Sequence, residues 1–420
     1  MNTKLLALAL ATLLAGSCTR ESATAPVAMP TAPRTDEQPR KWSLPIQAGA
    51  QPDLVRTPEG DLLLSWIVRD GEGHALRFAR WRDEAWTTPK TIASGDDWFV
   101  NWADTPHVAA TADGALWAHW LRKSASATYA YDVVLVRSAD GGVTWSPPMA
   151  VNDDGTPTEH GFVSLWARSD DSLGVAWLDG RRTAGAAGGH DSHDGHGGGA
   201  MTLRSASFDA QLQRSGEQEL DLSTCDCCQT DVARTDEGAL LVYRDRTEDE
   251  IRDISAVRLD AEGWQAPVGV HADQWKMPAC PVNGPALAVW GRIATVAWYT
   301  APDGVPQVRL TQSDDGGRRF APAVTVASGE SVLGRVALAR GKEAVWVTWL
   351  QEDSAGQSLQ LARYGADLQQ RQAQWQVARL QGRGRGTGFP QMVAVGEGVH
   401  LVWTEVVNGA PVLKGAQVAR

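Results

Sequence analysis

From Pro52 to Val406 the chain repeats one arrangement of apolar and polar positions seven times. Each copy has an apolar strand, a turn that usually carries an acidic residue and glycine, and a second strand ending on an aromatic. The copies read "PDLVRTPEGDLLLSWIV" from Pro52, "PHVAATADGALWAHWLR" from Pro106, "FVSLWARSDDSLGVAWLD" from Phe162 and "TDVARTDEGALLVYRDR" from Thr230. They continue as "PALAVWGRIATVAWYT" from Pro285, "GRVALARGKEAVWVTWL" from Gly334 and "FPQMVAVGEGVHLVWTEV" from Phe389. Alternation within each strand has the period of β structure, and no segment sustains a helical period. The spacing, mostly about fifty-odd residues, is that of four-stranded propeller blades. The pattern therefore predicts an all-β fold, a β-propeller of seven blades. The seventh copy has room for only three strands before Arg420. "KWSLPIQ" from Lys41 is expected to supply its outer strand, so that the two chain ends pair and the ring closes without exposed edges.

Two turns carry a further motif, "SADGGVTW" at Ser138–Trp145 and "SDDGGRRF" at Ser313–Phe320. Both resemble the Asp-box of the sialidase-like (BNR-repeat) superfamily. In such a hairpin glycines take positive φ, the Asp binds backbone amides and the aromatic plugs the blade. The resemblance covers the body of the chain and implies a propeller, with the six blades of sialidases as the alternative count. It also implies an exo-glycosidase reading, in which three arginines grip a carboxylate, a Tyr/Glu pair attacks and an Asp serves as acid/base. The Arg-Ile-Pro motif of that family is absent; "AGAQPDLVR" stands in its place.

Blade strands run alternately outward from the channel. Loops joining a second strand to a third, or one blade to the next, therefore share one face, where propeller ligands bind. "STCDCCQTD" precedes the fourth copy, which puts Cys225, Cys227 and Cys228 on this face, and "MPACPVNG" places Cys280 one blade along. These cysteines are a disulfide or metal-thiolate set: an oxidising compartment favours bridges, while three thiols in four positions suit a transition metal such as copper or zinc. The insertion in the third copy, "RRTAGAAGGHDSHDGHGGGAM", adds His190, His193 and His196 to the same sector as candidate metal ligands. Arg69, Arg122, Arg181 and Arg244 close successive second strands on this face, with Arg246 nearby. Guanidinium forks there suit an anionic ligand. Weak catalytic candidates are Arg181, Arg244, Tyr243, Tyr299 and the acid Asp104.

A basic start at Lys4, the short apolar run "LLALALATLLA" and small residues mark a secretory leader. Leu14–Cys18 resembles a bacterial lipobox. That implies lipidation at Cys18, and Thr19 after it implies sorting to the outer membrane. Residues 19–40, rich in Ala, Pro and Thr, are expected to form a disordered tether, leaving 41–420 as the propeller. A net charge of -11 argues against nucleic acid as a partner. No second apolar stretch is long enough to span a membrane, so contact with it rests on the lipid anchor. The reading that follows is an exported, lipid-anchored ligand-binding propeller, with an exo-glycosidase acting on acidic sugars as the alternative. A scaffold for an envelope protein is the third.

Overall fold

The computed structural model describes residues 38–46, 48–184 and 200–419, together with Met1. Cys18, most of the tether, His190, His193 and His196 lie outside the described residues. Among the described residues, seven antiparallel sheets follow one another along the chain, a seven-bladed β-propeller. The inner strands are Ala50–Arg56, Val108–Ala110, His160–Ala167, Asp231–Thr235, Ala286–Trp290, Val332–Arg340 and Gln391–Val395. No helix among these residues is long and apolar enough to cross a membrane.

The aromatic that ends each second strand explains the repeat. Trp66, Trp120, Trp177, Tyr243, Trp298, Trp349 and Trp403 occupy the same place in successive blades, and all are buried. A large ring at this point fills the wedge between neighbouring twisted sheets. Several also have their polar atom satisfied: Trp177 donates to Asp179 at 2.8 Å and Trp298 to Asp273 at 2.7 Å.

Closure is as the short seventh repeat predicts. Arg40–Lys41 pairs with the strand Ala410–Val418, Arg40 opposite Gln417, and forms the outer strand of the last blade. Trp42 follows at once, its amide bonded to the Gly415 carbonyl and its ring buried against Trp81 and Trp86 of the first blade.

Neighbouring blades are also tied around the channel, a feature the repeats do not reveal. A side chain near the start of one inner strand accepts a backbone N–H from the next blade: Asp53 from Val108, Asp104 from Phe162, Asp231 from Leu287 and Asn283 from Arg335, each at 2.7–2.8 Å. Phe162 and Arg335 lie in bulges of their inner strands, so their bonds satisfy amides that the ladder there leaves without a partner.

Both Asp-boxes lie on the far face. Asp140 accepts from the Val143 and Thr144 amides at 2.9 Å and from the Thr144 hydroxyl at 2.6 Å. Asp315 accepts from the Arg318 and Arg319 amides at 3.0 Å. The Arg319 guanidinium, 3.3 Å away, stands in for the missing threonine hydroxyl. Gly142, at φ +84°, is required twice over, because a Cβ there would sit 2.2 Å from the Phe78 ring.

Candidate functional site

The channel mouth is not open. Gln51 of the first blade donates to the Asn101 carbonyl at 2.6 Å, and Gln229, entering the fourth, donates to the Ala103 carbonyl at 2.6 Å. Between them, Trp102 stacks on Phe389 of the seventh blade at 5.8 Å and 8°, and the Arg335 guanidinium of the sixth lies 4.8 Å over its ring. Blades that far apart can meet one segment only over the axis, so residues 101–103 cover the mouth. Beneath them a polar cavity of about 250 Å³ is lined by Asp53, His107, Ser164, Asp231 and Gln391. Gln51 and Arg335, with Phe162, hold left-handed backbone conformations (φ 50–54°) at the starts of their inner strands. Such conformations are costly for residues other than glycine. Here each accompanies a bulge at the channel face.

Beside this cover lies an acid cluster. The Tyr131 hydroxyl is 2.7 Å from a Glu159 oxygen and 3.3 Å from an Asp104 oxygen, and all three residues are buried. Asp104 and Glu159 arrive on consecutive blade-to-blade loops, and Tyr131 opens the third strand of the second blade. Burial pushes Asp104 up to about 7, against the pull of the Phe162 amide and His107. Burial likewise raises Glu159 to about 8. The Tyr131 hydroxyl opposes that rise, and the charges of Asp104, Asp226 and Cys280 reinforce it. Both acids thus change protonation near neutrality, where acid–base work is done.

The cysteines converge as the loop geometry predicts. The Cys225 and Cys228 sulfurs are 3.2 Å apart and those of Cys225 and Cys227 are 4.0 Å apart. Cys280 meets Cys227 from the next blade, and all four are free thiols. Cys225 and Cys228 are buried, whereas Cys280 is exposed.

The arginines do not gather into one ligand clamp. Arg181 forks onto Asp179 with two bonds of 2.7 Å and reaches Glu217 at 3.2 Å. Arg244 is buried, donating to the carbonyls of Asn283, Arg252 and Tyr299 and lying 5.0 Å over Trp275. Arg246 is paired with Asp226 and Glu250. Arg69 is exposed and turned to the Glu72 carbonyl, and Arg122 is half-buried at its strand end. Tyr243 belongs to the buried aromatic ring and donates to Asp221, while Tyr299 packs edge-on against Trp275. Internal partners therefore take up Arg181, Arg244, Arg246 and Tyr243, and only Asp104 of the catalytic candidates joins the acid cluster. The arginines that do reach the mouth are Arg335 and the exposed Arg385, 4.8 and 5.9 Å from the Trp102 ring. Burial, with Arg385 alongside, lowers Arg335 to about 10. Glu159, Tyr131, Arg335 and Arg385 escape the sequence reading. Glu159 had a signal, since it immediately precedes an inner strand, as Asp104 nearly does.

No protein-family model matches this chain, and no curated protein does. Among solved structures it is similar to the polysaccharide lyase Uly1, with a TM-score of 0.53 at 8% identity over 88% of this chain and 90% of that one. Weaker likenesses are to the phage phi92 endosialidase (TM-score 0.48, 10% identity, 91% of this chain and 69% of that one) and to an ulvan lyase bound to -[GlcA(1-4)Rha3S]-. The latter has a TM-score of 0.46 and 12% identity, with 79% of each chain covered. The likeness to Uly1 shows a shared fold.

Proposed function

We propose that this protein is an exported propeller that binds an acidic carbohydrate at the channel face and cleaves it by acid–base chemistry. The observation that carries this reading is the Tyr131 hydroxyl held between the Glu159 and Asp104 carboxyls. Bond cleavage in a sugar chain needs one group to give a proton and another to take one, and two carboxyls that both change protonation near neutrality supply that pair. Trp102 and Phe389, stacked on each other and half-buried, leave their ring edges to a sugar ring. Arg385, exposed beside Arg335, offers a guanidinium to its carboxylate or sulfate. Its fold neighbour Uly1 is a polysaccharide lyase, which agrees with a sugar-chain substrate. Anchoring through Cys18 at the outer membrane belongs to the same proposal.

The test is a panel of sialylated, uronate-containing and sulfated oligosaccharides incubated with the full chain. New reducing ends would be read separately from unsaturated uronate, which distinguishes hydrolysis from elimination. Tyr131→Phe and Glu159→Gln should lower kcat by at least about 100-fold with bound sugar retained. Turnover untouched in both variants, or no cleavage and no binding across the panel, would reject the reading.

A further inference from the structure

The thiol cluster is separate from that acid–base reading and carries its own. Ligand atoms of Cys225, Cys227 and Cys228 all lie within 4.8 Å of one another. A tetrahedral ion held about 2.3 Å from each sulfur spaces its ligands about 3.8 Å apart. The separations of 3.2 and 4.0 Å fall on either side of that value. Cys280 approaches Cys227 from a different loop and brings a fourth sulfur to the edge of this trio.

The surroundings favour negative charge at that point. The Asn283 amide donates to the Cys228 sulfur at 3.4 Å. Arg252 is buried nearby with only one of its nitrogens paired, to Glu250 at 2.6 Å; its Nε and Nη1 have no hydrogen-bond partner. Among the charges that favour its cation, that of Cys225 is the largest. A buried guanidinium left half-unpaired is costly unless an anionic group faces it. A cluster of thiolates around a cation of charge one or two is such a group, since it keeps a net negative charge. The Arg244 charge also lies close enough to act on the Cys228 sulfur. Arg244 also fixes the approach of Cys280, because its forks onto the Asn283 and Tyr299 carbonyls hold the 280–283 loop against the fourth blade.

We propose that Cys225, Cys227, Cys228 and Cys280 together bind one soft d10 cation, copper(I) or zinc(II), as thiolates. The all-sulfur donor set selects such ions over magnesium, calcium or manganese. Binding releases thiol protons and ties the loops entering the fourth and fifth blades, so the ion stabilises the channel face.

To test this, the full chain is exported, extracted in detergent and purified without chelator or reductant. Metal per chain is measured, and thiols are titrated before and after removal of copper with bathocuproine or zinc with EDTA. The expected result is about one ion per chain, with thiols that become reactive only on its removal; which ion is recovered decides between copper and zinc. A metal-free chain without titratable thiols would make the cluster a pair of disulfides. A metal-free chain whose four reactive thiols take up neither added ion would make it a set of bystanders. Either result overturns the proposal. Cys280→Ser, at an exposed position, should weaken metal affinity by about tenfold or more while leaving the metal-free melting temperature in place. Unchanged affinity would remove Cys280 from the site.

Discussion

The indole of Trp42 lies 4.4 Å from the imidazole of His400, and this contact locks the ring of blades at the point where its two ends meet. Trp42 belongs to the N-terminal segment, His400 to the strand Gly398–Val407 of the last blade, and Trp81 and Trp86 to the first. One buried side chain therefore joins both ends of the chain to the first blade.

Trp42→Ala should destabilise the fold by about 3–5 kcal/mol, the usual cost of emptying a buried tryptophan site. The two-residue outer strand Arg40–Lys41 offers little to compensate. Urea denaturation followed by tryptophan fluorescence measures the loss directly. A change below about 1 kcal/mol would mean that the ring holds without its N-terminal closure.

The acid cluster makes stability depend on pH with a definite sign. Asp104 and Glu159 are raised in the folded protein to about 7 and about 8, well above their values in an unfolded chain. Between about pH 4 and 8 the folded state therefore holds more protons than the unfolded one, and stability falls as pH rises through that window. Each group contributes at most about 1.4 kcal/mol per pH unit. Glu159→Gln removes one of the two titrations while still accepting from Tyr131. The variant should match the wild type at about pH 4 and below and become progressively the more stable of the two as pH rises towards 8. Denaturation midpoints at several pH values would show this divergence, and parallel profiles would rule out a raised Glu159.

How far these features were legible from sequence follows from the range of the interactions that make them. The blades are written locally: alternation within a strand and the recurring Trp or Tyr at its end need only neighbouring residues. The meeting of Cys227 with Cys280 was also accessible, because antiparallel order alone assigns both loops to one face. Arginine roles were not accessible. Arg181 and Arg244 sit at equivalent strand ends, yet one is held by Asp179 two residues away and the other by carbonyls 39 and 55 residues away. For Arg244 the role depends on those distant partners, which its own sequence neighbourhood does not reveal. The cover formed by residues 101–103 was hidden for the same reason, since its contacts come from four separate blades.

Arg244 allows the sharpest separation between a ligand-binding and an architectural arginine. Its nitrogens donate to three backbone carbonyls from the loops around Arg252, Asn283 and Tyr299. Lysine keeps the charge but has one nitrogen, which cannot reach carbonyls spread across the width of a guanidinium. Arg244→Lys should then leave buried carbonyls unpaired and cost about 2–3 kcal/mol. It should also free the 280–283 loop. Thermal melts would fall, and the Cys280 thiol would react faster with a maleimide. An anionic-ligand arginine on a rigid strand end would behave in the opposite way, losing sugar binding at unchanged melting temperature. Measuring both quantities on the one variant decides whether Arg244 faces a ligand or holds the two blades together.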